Sequence, residues 1–528
     1  MSVVAFVVGI AGLAVAGMRW LRVAQREHYI PGSCLVTARR WAVITWWNAI
    51  VAAAAVLAAA IGVVAGGTGG AVAVIVAAML GTAFPVGMTV RGHEVKLKFT
   101  RRARTLTIVC AALAAVVSVA LAVAGRWFAG PGIAAVLAVP LVDLGLLITK
   151  PWEARSAARF QAAAAKRLRD VAPTVIAVTG SFGKTSTKNH IRDLAAGSLA
   201  VVASPASFNN QGGLSRTMNE HLTDGTDLLV AEMGMYGPGE IRALCSWVRP
   251  TIGVITAIGP MHLERVGSLE GIVTAKAEIL ERAATGVLWV DEPLLAALAD
   301  RTTGVRVWRA GTHGSSALAG HTDVVSIEAL DDAPPADASP TTRPTGRRYL
   351  VRHDGADVGT FVATSVHPGN VACAVAAVLA AGVPASELEE RLARLEPPPH
   401  RASAGATDSG LYVIDDTYNA NPAGAAAAVD RLRTAVRGKR AVVTPGLVEL
   451  GPEQRAANER LGAQVAASGA TLVAVGRTNR AALVRGAASA GGQIVTVARR
   501  PAARDWVRAN LGEGDGVLWE NDLPDTYP

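Results

Sequence analysis

The fold is decided by the stretch Thr174-Val-Ile-Ala-Val-Thr-Gly-Ser-Phe-Gly-Lys-Thr-Ser-Thr187. Its opening residues are rich in β-branched side chains, which predicts a buried parallel strand over 175–179. Gly180 and Gly183 then allow a tight turn whose backbone N–H groups point inward, and a helix is expected to follow. A strand, a glycine loop and a helix in this order form a cradle for phosphate groups.

The side chains of the loop suit a nucleotide with a magnesium ion. Its amides and the helix N-terminus hold anionic oxygens, Lys184 reaches the terminal phosphates, and the Thr185 hydroxyl is a ligand for Mg²⁺. The loop is a shortened Gly-x-x-Gly-Lys-Thr form, for which a solvated Gly/Ser turn is the alternative interpretation. The predicted strand before it and helix after it favour the cradle.

Composition separates the chain into an apolar beginning and a more polar remainder. The chain has 528 residues, enough for three or more domains. Its hydrophobic content of 51% is high, and most of this excess lies before Lys150. Its four cysteines, at 34, 110, 245 and 373, lack metal-ligand spacing and indicate reduced thiols. The net charge is +9, and much of it comes from basic residues in loops beside apolar segments. Lysine and arginine do not form a stripe interleaved with aromatic residues, so the charge favours a membrane surface over nucleic acid as the partner.

The first 150 residues contain five apolar segments that approach the roughly 20 residues needed to cross a bilayer. They cover residues 3–18, 42–66, 71–88, 106–125 and 132–148. Arginine and lysine are concentrated in the loops after the first and third segments. By the positive-inside rule the N-terminus lies outside, and everything after Lys150 lies on the cytoplasmic side of a multi-pass region in the inner membrane.

Tryptophans near the segment ends are typical of an interfacial belt. They are Trp20, Trp41, Trp46, Trp47, Trp127 and Trp152. The region either anchors the protein or also captures a lipid-linked or membrane-delivered substrate, and both interpretations stay open. The stretch His28-Tyr-Ile-Pro-Gly-Ser33 is a candidate substrate contact in the first cytoplasmic loop.

The polar remainder predicts two α/β domains. A strand ending in Glu232 would place a carboxylate across from the phosphate loop, where a Mg²⁺ ligand is expected. Residues 331–348 indicate a flexible insertion, and Leu395-Glu-Pro-Pro-Pro399 a stiff hinge. Strands over 411–414, 441–444, 471–475, 493–497 and 516–519 alternate with Ala-rich helices. The predicted domains are 1–150, 151–396 and 397–528.

Seven motifs follow one another in the polar part of the chain. They are Thr179-Gly-Ser-Phe-Gly-Lys-Thr-Ser186, Phe208-Asn-Asn210, Ala231-Glu-Met-Gly234, His262-Leu-Glu264 with Lys276, Pro399-His-Arg401, Asp415-Asp-Thr-Tyr-Asn-Ala-Asn-Pro422 and Val448-Glu-Leu-Gly451. In this order, over residues 173–450, they resemble the Mur ligases of cell-wall synthesis, most closely the MurF branch. The resemblance implies a P-loop parallel-sheet ATPase domain and a smaller Rossmann-like C-terminal domain after the α-helical membrane region.

The resemblance also implies roles for individual residues. Two Mg²⁺ ions are expected, the first at Thr185 and Glu232 and the second at His262 and a carbamylated Lys276. The residues implied to bind ATP are Gly180, Ser181, Gly183, Lys184, Thr185, Ser186, Asn370, Arg401 and Asp416. Those implied to carry catalysis are Lys184, Glu232, His262, Lys276 and Arg401, and those near the substrate are Asn209, Asn210, Tyr418, Asn419 and Asn421.

Three departures from the family pattern bear on substrates. The membrane region replaces the family's uridine-nucleotide domain, and Cys373 replaces a second Asn expected to meet adenine. The chain ends in Glu520-Asn-Asp-Leu-Pro-Asp-Thr-Tyr-Pro528 where MurF enzymes have a Lys-Gly-Ser type motif that helps to recognise the dipeptide. Acids in this tail predict a nucleophile more cationic than D-alanyl-D-alanine. A solvated acidic tail is the alternative.

The resemblance implies an ATP-dependent ligase that joins a carboxylate to an amine acceptor through an acyl phosphate, in the synthesis of a peptidoglycan precursor or a related peptide. A different lipid-linked or natural-product carboxylate stays open. A non-catalytic, membrane-tethered nucleotide-binding scaffold and a transporter ATPase are further alternatives. The retained Lys184, Glu232, His262 and Lys276 argue against the scaffold, and the absence of an ABC-type signature argues against the transporter.

Overall fold

The computed structural model describes residues 1–90, 97–261, 263–330, 347–363, 367–395, 403–407, 409–417, 421–523 and 526–528. The chain divides into two compact units. The first unit is Met1–Ala157 with Gly476–Ala481 and Asp522–Pro528, and the second is Ala158–Val475 with Ala482–Asn521. Each is described separately.

Helices build the first unit. They are α1 Ser2–Arg26, α2 Ser33–Ile44, α3 Trp47–Ala65, α4 Gly67–Ala83, α5 Arg101–Val123, α6 Gly130–Val136 and α7 Ala138–Val171, the last of which continues into the second unit. Three of them (α1, α3 and α5) are long and apolar enough to cross a membrane. The other two predicted segments differ from simple spans, because α4 has only 17 residues and α6 and α7 meet at an 80° bend.

A buried carboxylate organises the beginning of α2. Asp143 on α7 accepts hydrogen bonds from the backbone N–H groups of Gly32 at 3.0 Å, Cys34 at 3.3 Å and Leu35 at 2.9 Å. These groups have no partner inside α2, because the first turn of a helix leaves its donors unsatisfied. Asp143 therefore fixes the end of the 28–33 loop that the sequence suggested as a substrate contact.

The tryptophans of the first unit differ in burial, which corrects part of the predicted belt, and Trp47 is half-buried. Trp46, Trp127 and Trp152 are exposed, as an interfacial belt requires. Trp20 and Trp41 instead pack in the interior of the helical unit. The indole N–H of Trp41 donates to the backbone carbonyl of Thr526 at 3.1 Å, so its polar edge is satisfied within the unit.

The second unit contains two sheets, the first of nine strands. These are β1 Thr174–Thr179, β2 Val201–Ala203, β3 Leu228–Glu232, β4 Ile252–Ile255, β5 Thr285–Trp289, β6 Arg306–Thr312, β7 Val324–Ala329, β8 Arg347–His353 and β9 Ala356–Ala363. The order β2-β3-β1-β4-β5-β6-β7 is parallel throughout, and β8 and β9 extend it as an antiparallel hairpin. The predicted P-loop parallel sheet is confirmed, with this hairpin as the difference.

Helices flank the first sheet in the alternating pattern that parallel strands require. They are α8 Lys184–Ala195, α9 Gln211–His221, α10 Glu240–Val248, α11 Leu263–Val266, α12 Leu269–Ala277, α13 Pro293–Arg301, α14 Pro368–Ala380 and α15 Leu388–Ala393. Strands β1 and β3 are almost wholly buried and apolar, so they form the centre of the core. Their carboxyl ends carry the phosphate loop and Glu232.

The second sheet has six strands in the order β10-β11-β15-β12-β13-β14. They are β10 Ser403–Ala406, β11 Tyr412–Asp416, β12 Arg440–Thr444, β13 Thr471–Val475, β14 Ile494–Val497 and β15 Gly516–Glu520, and the helices are α16 Pro422–Ala435, α17 Gln454–Ala467, α18 Arg480–Ser489 and α19 Arg500–Asn510. All pairings are parallel except β10 with β11. Each strand predicted after residue 400 matches within two residues at either end, which confirms the smaller α/β domain.

The predicted domain boundaries of 1–150, 151–396 and 397–528 stay predictions. The two sheets divide the chain between residues 363 and 403, while α7 passes through residue 150 without ending. Residues 331–346 of the predicted insertion lie outside the described part of the chain, and Arg347 and Arg348 begin β8 instead. Most of the predicted hinge (396–399) also lies outside the described residues.

Candidate functional site

The loop between β1 and α8 has the shape that its glycines predict. Gly183 has φ +80°, and a Cβ added there would lie 2.1 Å from Oδ1 of Asn370, so only glycine fits. Lys184 begins α8, and its ammonium group donates to the carbonyl of Gly180 at 2.8 Å. The loop amides, the start of a 12-residue helix and a lysine therefore meet at one place, which is a site for anionic oxygens.

Ser181 supports the loop from beneath. Its hydroxyl accepts from the N–H of Gly259 at 3.0 Å and donates to the carbonyl of the same residue at 3.1 Å. Its own N–H donates to the carbonyl of Ala257 at 2.8 Å. Ser181 thus ties the phosphate loop to the segment after β4, the segment that leads to His262.

Glu232 ends β3 beside the phosphate loop, as the sequence predicts. One of its carboxylate oxygens accepts from the Thr185 hydroxyl at 2.9 Å, and the other accepts from the Asn209 amide at 3.2 Å. The carboxylate is almost fully buried. A hydroxyl and a carboxylate held together are oxygen donors of the kind that Mg²⁺ prefers.

Lys188, which the sequence analysis did not single out, is the fourth member of this group. Its ammonium nitrogen lies 3.2 Å from the carboxylate oxygen of Glu232 that Thr185 contacts, and it donates to the carbonyl of Ala206 at 2.7 Å. Its spacing in the sequence could have indicated this position, because a residue three positions after Thr185 lies on the same face of α8. A lysine inside a helix is usually solvated, and only the fold shows that this one is buried.

Lys276 on α12 is also buried, with 3% of its surface exposed. Burial holds the pKa of its ammonium group well below the usual value, and the positive charge of Lys184 lowers it further. In such surroundings the neutral amine form of a lysine is favoured over the charged ammonium form. Lys184 and Lys276, far apart in the sequence, are therefore close enough in space to influence each other.

Helix α14 connects the phosphate loop to a neighbouring cavity. Asn370 on this helix contacts Gly183, and His367 caps the helix by accepting from the N–H of Gly369 at 3.1 Å. The cavity has a volume of about 440 Å³. Its lining includes Trp289, Asp291, Glu292, Thr312, Tyr349, His367 and Pro368. Cys373 on the same helix is not among the lining residues, and its side chain is fully buried in the core of the unit.

The second sheet places Asp416 at the carboxyl end of β11, directly beside Glu520 at the end of β15. Asn421 caps the start of α16, where its side chain accepts from the N–H of Gly424 at 2.8 Å. Asn210 has the same capping role at α9, through the N–H of Gly213 at 2.9 Å. Both asparagines therefore have a local structural role in addition to their predicted position near a substrate.

The structure brings Gly180, Gly183, Lys184, Thr185, Asn209, Glu232 and Asn370 together around one loop. Ser186 lies buried in the first turn of α8. Predicted site residues His262, Arg401, Tyr418 and Asn419 lie outside the described residues. Among the residues that are described, no group of three or more His, Cys, Asp or Glu side chains is arranged to hold a metal ion.

Two domain families match the chain. The Mur ligase middle domain matches residues 178–329, and the Mur ligase glutamate ligase domain matches residues 400–520. A UDP-N-acetylmuramoyl-tripeptide–D-alanyl-D-alanine ligase of Mycobacterium tuberculosis is 32% identical over 389 residues, which cover 68% of this chain and 72% of the relative. The chain belongs to the Mur ligase family. It is therefore an ATP-dependent ligase that forms carbon–nitrogen bonds.

Further similarities agree with this assignment. The corresponding ligase of Bacillus subtilis is 32% identical over 305 residues, 56% of this chain and 61% of the relative. The fold resembles MurF of Acinetobacter baumannii (TM-score 0.57, 21% identity, 69% and 77% of the two chains). It also resembles MurF of Thermotoga maritima in complex with ADP (TM-score 0.55, 24% identity, 70% and 80%).

Mur ligases use ATP and Mg²⁺, and the residues of this chain fit both. The loop around Gly183 is a cradle that a Cβ would fill, and the Thr185–Glu232 pair supplies two oxygen donors at its edge. The buried Lys188 balances the charge of Glu232 within the same site.

Proposed function

We propose that this Mur ligase joins a peptidoglycan-precursor carboxylate to an amine acceptor, as the MurF relatives do. The observation that carries the proposal is the Thr185–Glu232 pair beside Lys184, because a hydroxyl, a carboxylate and a lysine at a glycine loop suit a nucleotide with its magnesium ion. The relatives that match two thirds of the chain are named for adding D-alanyl-D-alanine to UDP-N-acetylmuramoyl-tripeptide.

The reaction has two steps in this proposal. An oxygen of the substrate carboxylate attacks the γ-phosphorus of ATP, the bond to the β-phosphate oxygen breaks, and an acyl phosphate and ADP result. The amine then attacks the acyl carbon, loses a proton, and releases phosphate. Lys184 and the loop amides hold the transferring phosphoryl group, while Thr185 and Glu232 would hold Mg²⁺, which neutralises phosphate charge.

Lys276 is proposed to be carbamylated and to hold a second Mg²⁺ together with His262. Supporting this, its pKa is lowered by burial and by Lys184, so the amine is neutral and nucleophilic toward CO₂. The carbamate would be an anion beside the cationic Lys184. We expect a mass increase of one CO₂ at Lys276 after chemical trapping, and loss of the trapped adduct in Lys276→Met.

The base of ATP is proposed to occupy the cavity lined by Trp289, Tyr349 and His367. Support comes from Asn370, which belongs to the helix that begins at this cavity and also contacts Gly183 of the phosphate loop. Arg401 and Asp416, which belong to the part of the chain that forms the second sheet, are proposed to contact ATP. Ser186 belongs to the same proposed nucleotide site, and Tyr418, Asn419 and Asn421 to the substrate site.

We also propose a multi-pass location in the inner membrane with the ligase on the cytoplasmic side. The three long apolar helices, the basic loops and the cytoplasmic source of ATP support it. A cysteine-labelling scan of exposed loop positions in intact cells tests the orientation. Labelling of residue 67 but not residue 100 from outside agrees with it, and the reverse pattern contradicts it.

The decisive experiment uses full-length protein in detergent with Mg-ATP, UDP-N-acetylmuramoyl-tripeptide and D-alanyl-D-alanine, and follows phosphate release and product mass together. A product heavier by the dipeptide would identify a membrane-bound enzyme with MurF activity. Lys184→Ala should abolish both signals, while Lys166→Ala, which alters an exposed lysine, should leave them intact. No product and no phosphate release with any carboxylate would contradict ligase function.

A second candidate substrate follows from the three long apolar helices of the first unit. A lipid-linked or membrane-delivered carboxylate would reach the enzyme from the bilayer. Phosphate release triggered by a membrane extract, dependent on Lys184 and absent with the soluble nucleotide-linked tripeptide, would favour it.

A further inference from the structure

The loop that follows β2, residues 204–210, is attached to the end of β3. Its first residue, Ser204, accepts through its hydroxyl from the N–H of Glu232 at 3.1 Å. Asn209, predicted to lie near the substrate, donates from its amide to the Glu232 carboxylate at 3.2 Å. The carbonyl of Asn209 also accepts from the N–H of Gly234 at 2.7 Å. A loop with a predicted substrate residue is thus built on the strand that ends in a predicted magnesium ligand.

Ala206, in the middle of the 204–210 loop, has a strained backbone. Its φ of +42° lies in the left-handed region, which residues with a Cβ rarely adopt. Such a conformation persists only where its surroundings hold it, and it is found most often at functional sites. The ammonium group of Lys188 provides this support, because it donates to the Ala206 carbonyl at 2.7 Å. In the described part of the chain no second donor contacts that carbonyl.

The same ammonium group also contacts Glu232. Its nitrogen lies 3.2 Å from the carboxylate oxygen that accepts from the Thr185 hydroxyl, and the side chains of the ion pair are about 2% exposed. Charged hydrogen bonds that are shielded from water in this way are stronger than those at the surface. The contact with Glu232 balances the carboxylate charge, and the contact with Ala206 additionally fixes the loop to helix α8.

We propose that Lys188 is a positioning residue of the ligase, which holds the 204–210 loop at Ala206 so that Asn209 is placed to meet the carboxylate substrate. The proposal rests on the ligase function proposed above. In this role Lys188 touches neither the substrate nor ATP, because it acts through the backbone of the loop. Two consequences distinguish it from a lysine that only balances the charge of Glu232. The loop depends on Lys188 in the absence of any ligand, and loss of Lys188 weakens binding of the carboxylate substrate and not of Mg²⁺.

Hydrogen exchange of the 204–210 loop in the full-length protein, without nucleotide, tests the first consequence. Lys188→Met should raise the exchange rate of the loop amides at least about 10-fold, since a charged hydrogen bond is lost. Lys166→Met, which removes an exposed ammonium group, should leave the rate unchanged. Equal loop exchange in the wild type and in Lys188→Met would overturn the inference.

Glu232→Gln provides a background in which charge balance plays no part. Lys188→Met added to it removes the contact with Ala206 without breaking an ion pair, and should still raise loop exchange about 5-fold over Glu232→Gln alone. The same two variants replace the first comparison if Lys188→Met does not fold. Equal loop exchange in these two variants would overturn the inference, because Lys188 would then act only through the charge of Glu232.

Ligase assays of the full-length protein with Mg-ATP, UDP-N-acetylmuramoyl-tripeptide and D-alanyl-D-alanine test the second consequence. In Lys188→Met the KM for the nucleotide-linked tripeptide should rise at least about 10-fold. The Mg²⁺ concentration for half-maximal rate should not rise, because Glu232 loses a competing cation. A raised Mg²⁺ requirement with an unchanged KM would overturn the inference while the ligase function stands. A wild type that forms no product counts against the proposed function, and the exchange comparison, which needs no substrate, then decides the inference alone.

Discussion

The ammonium nitrogen of Lys188 lies 3.2 Å from a carboxylate oxygen of Glu232, and both side chains are about 2% exposed. This buried ion pair joins helix α8 to the end of strand β3. It holds Glu232 in the orientation in which the carboxylate also accepts from Thr185 and Asn209. The position of the Glu232 carboxylate is thus fixed by contacts within the protein.

Replacing Lys188 by Met should lower the free energy of unfolding by about 3–5 kcal/mol, because it leaves Glu232 buried without its cation. Urea unfolding measures the change. Lys166→Met, which removes an exposed pair with Asp170, should change the free energy by less than about 1 kcal/mol. Adding Glu232→Gln to Lys188→Met should restore much of the loss, and a purely additive double variant would contradict the pairing.

Replacing Thr185 by Val keeps the shape of the side chain and removes its hydroxyl. We expect the Mg²⁺ concentration needed for half-maximal phosphate release to rise at least about 10-fold, since one of two oxygen donors is lost. Thr185→Ser should restore the wild-type requirement. An unchanged Mg²⁺ requirement in the valine variant would exclude Thr185 as a ligand.

Gly183→Ala should weaken ATP binding by about 100-fold or more, because the new Cβ would lie 2.1 Å from Asn370 at a backbone with φ +80°. Gly314→Ala is the matched control. It has nearly the same φ, +82°, but no atom within 4 Å of the added Cβ. Fluorescent-nucleotide titration measures both, and equal losses would attribute the effect to backbone strain in general.

His190 on α8 gives the unfolding free energy a pH dependence. Burial lowers its pKa to about 4 from the ordinary value of 6.5, so the unfolded chain binds a proton that the folded chain does not. Stability contributed by the neutral form is fully present above pH 6.5 and falls as the pH decreases toward 4, by about 3 kcal/mol.

His190→Leu should flatten this dependence, whereas His321→Leu, at an exposed position, should not. Urea unfolding at intervals between pH 4 and pH 7 measures the slope. An unchanged slope in His190→Leu would show that folding does not lower the pKa of His190.

Local patterns predicted the elements well, and the sequence failed where contacts join distant residues. The β-branched run before Gly180 and the spacing of apolar residues in the later segments suffice to predict strands, because both are local patterns. The burial of Lys188 and Glu520 depends on which strands become neighbours, and β15 lies between β11 and β12 although it is last in the chain. Apolar composition alone predicted five spans and could not place the bend between α6 and α7.

The free thiols have a practical consequence. Cys34 and Cys110 belong to the first unit, Cys245 and Cys373 to the second, and none forms a disulfide. Cys34, Cys245 and Cys373 are buried, and burial raises the pKa of Cys245 to about 12, which suppresses the reactive thiolate. Alkylation of the wild-type protein followed by peptide mass analysis would therefore measure the rate at which each unit opens, because each unit contains its own buried thiol.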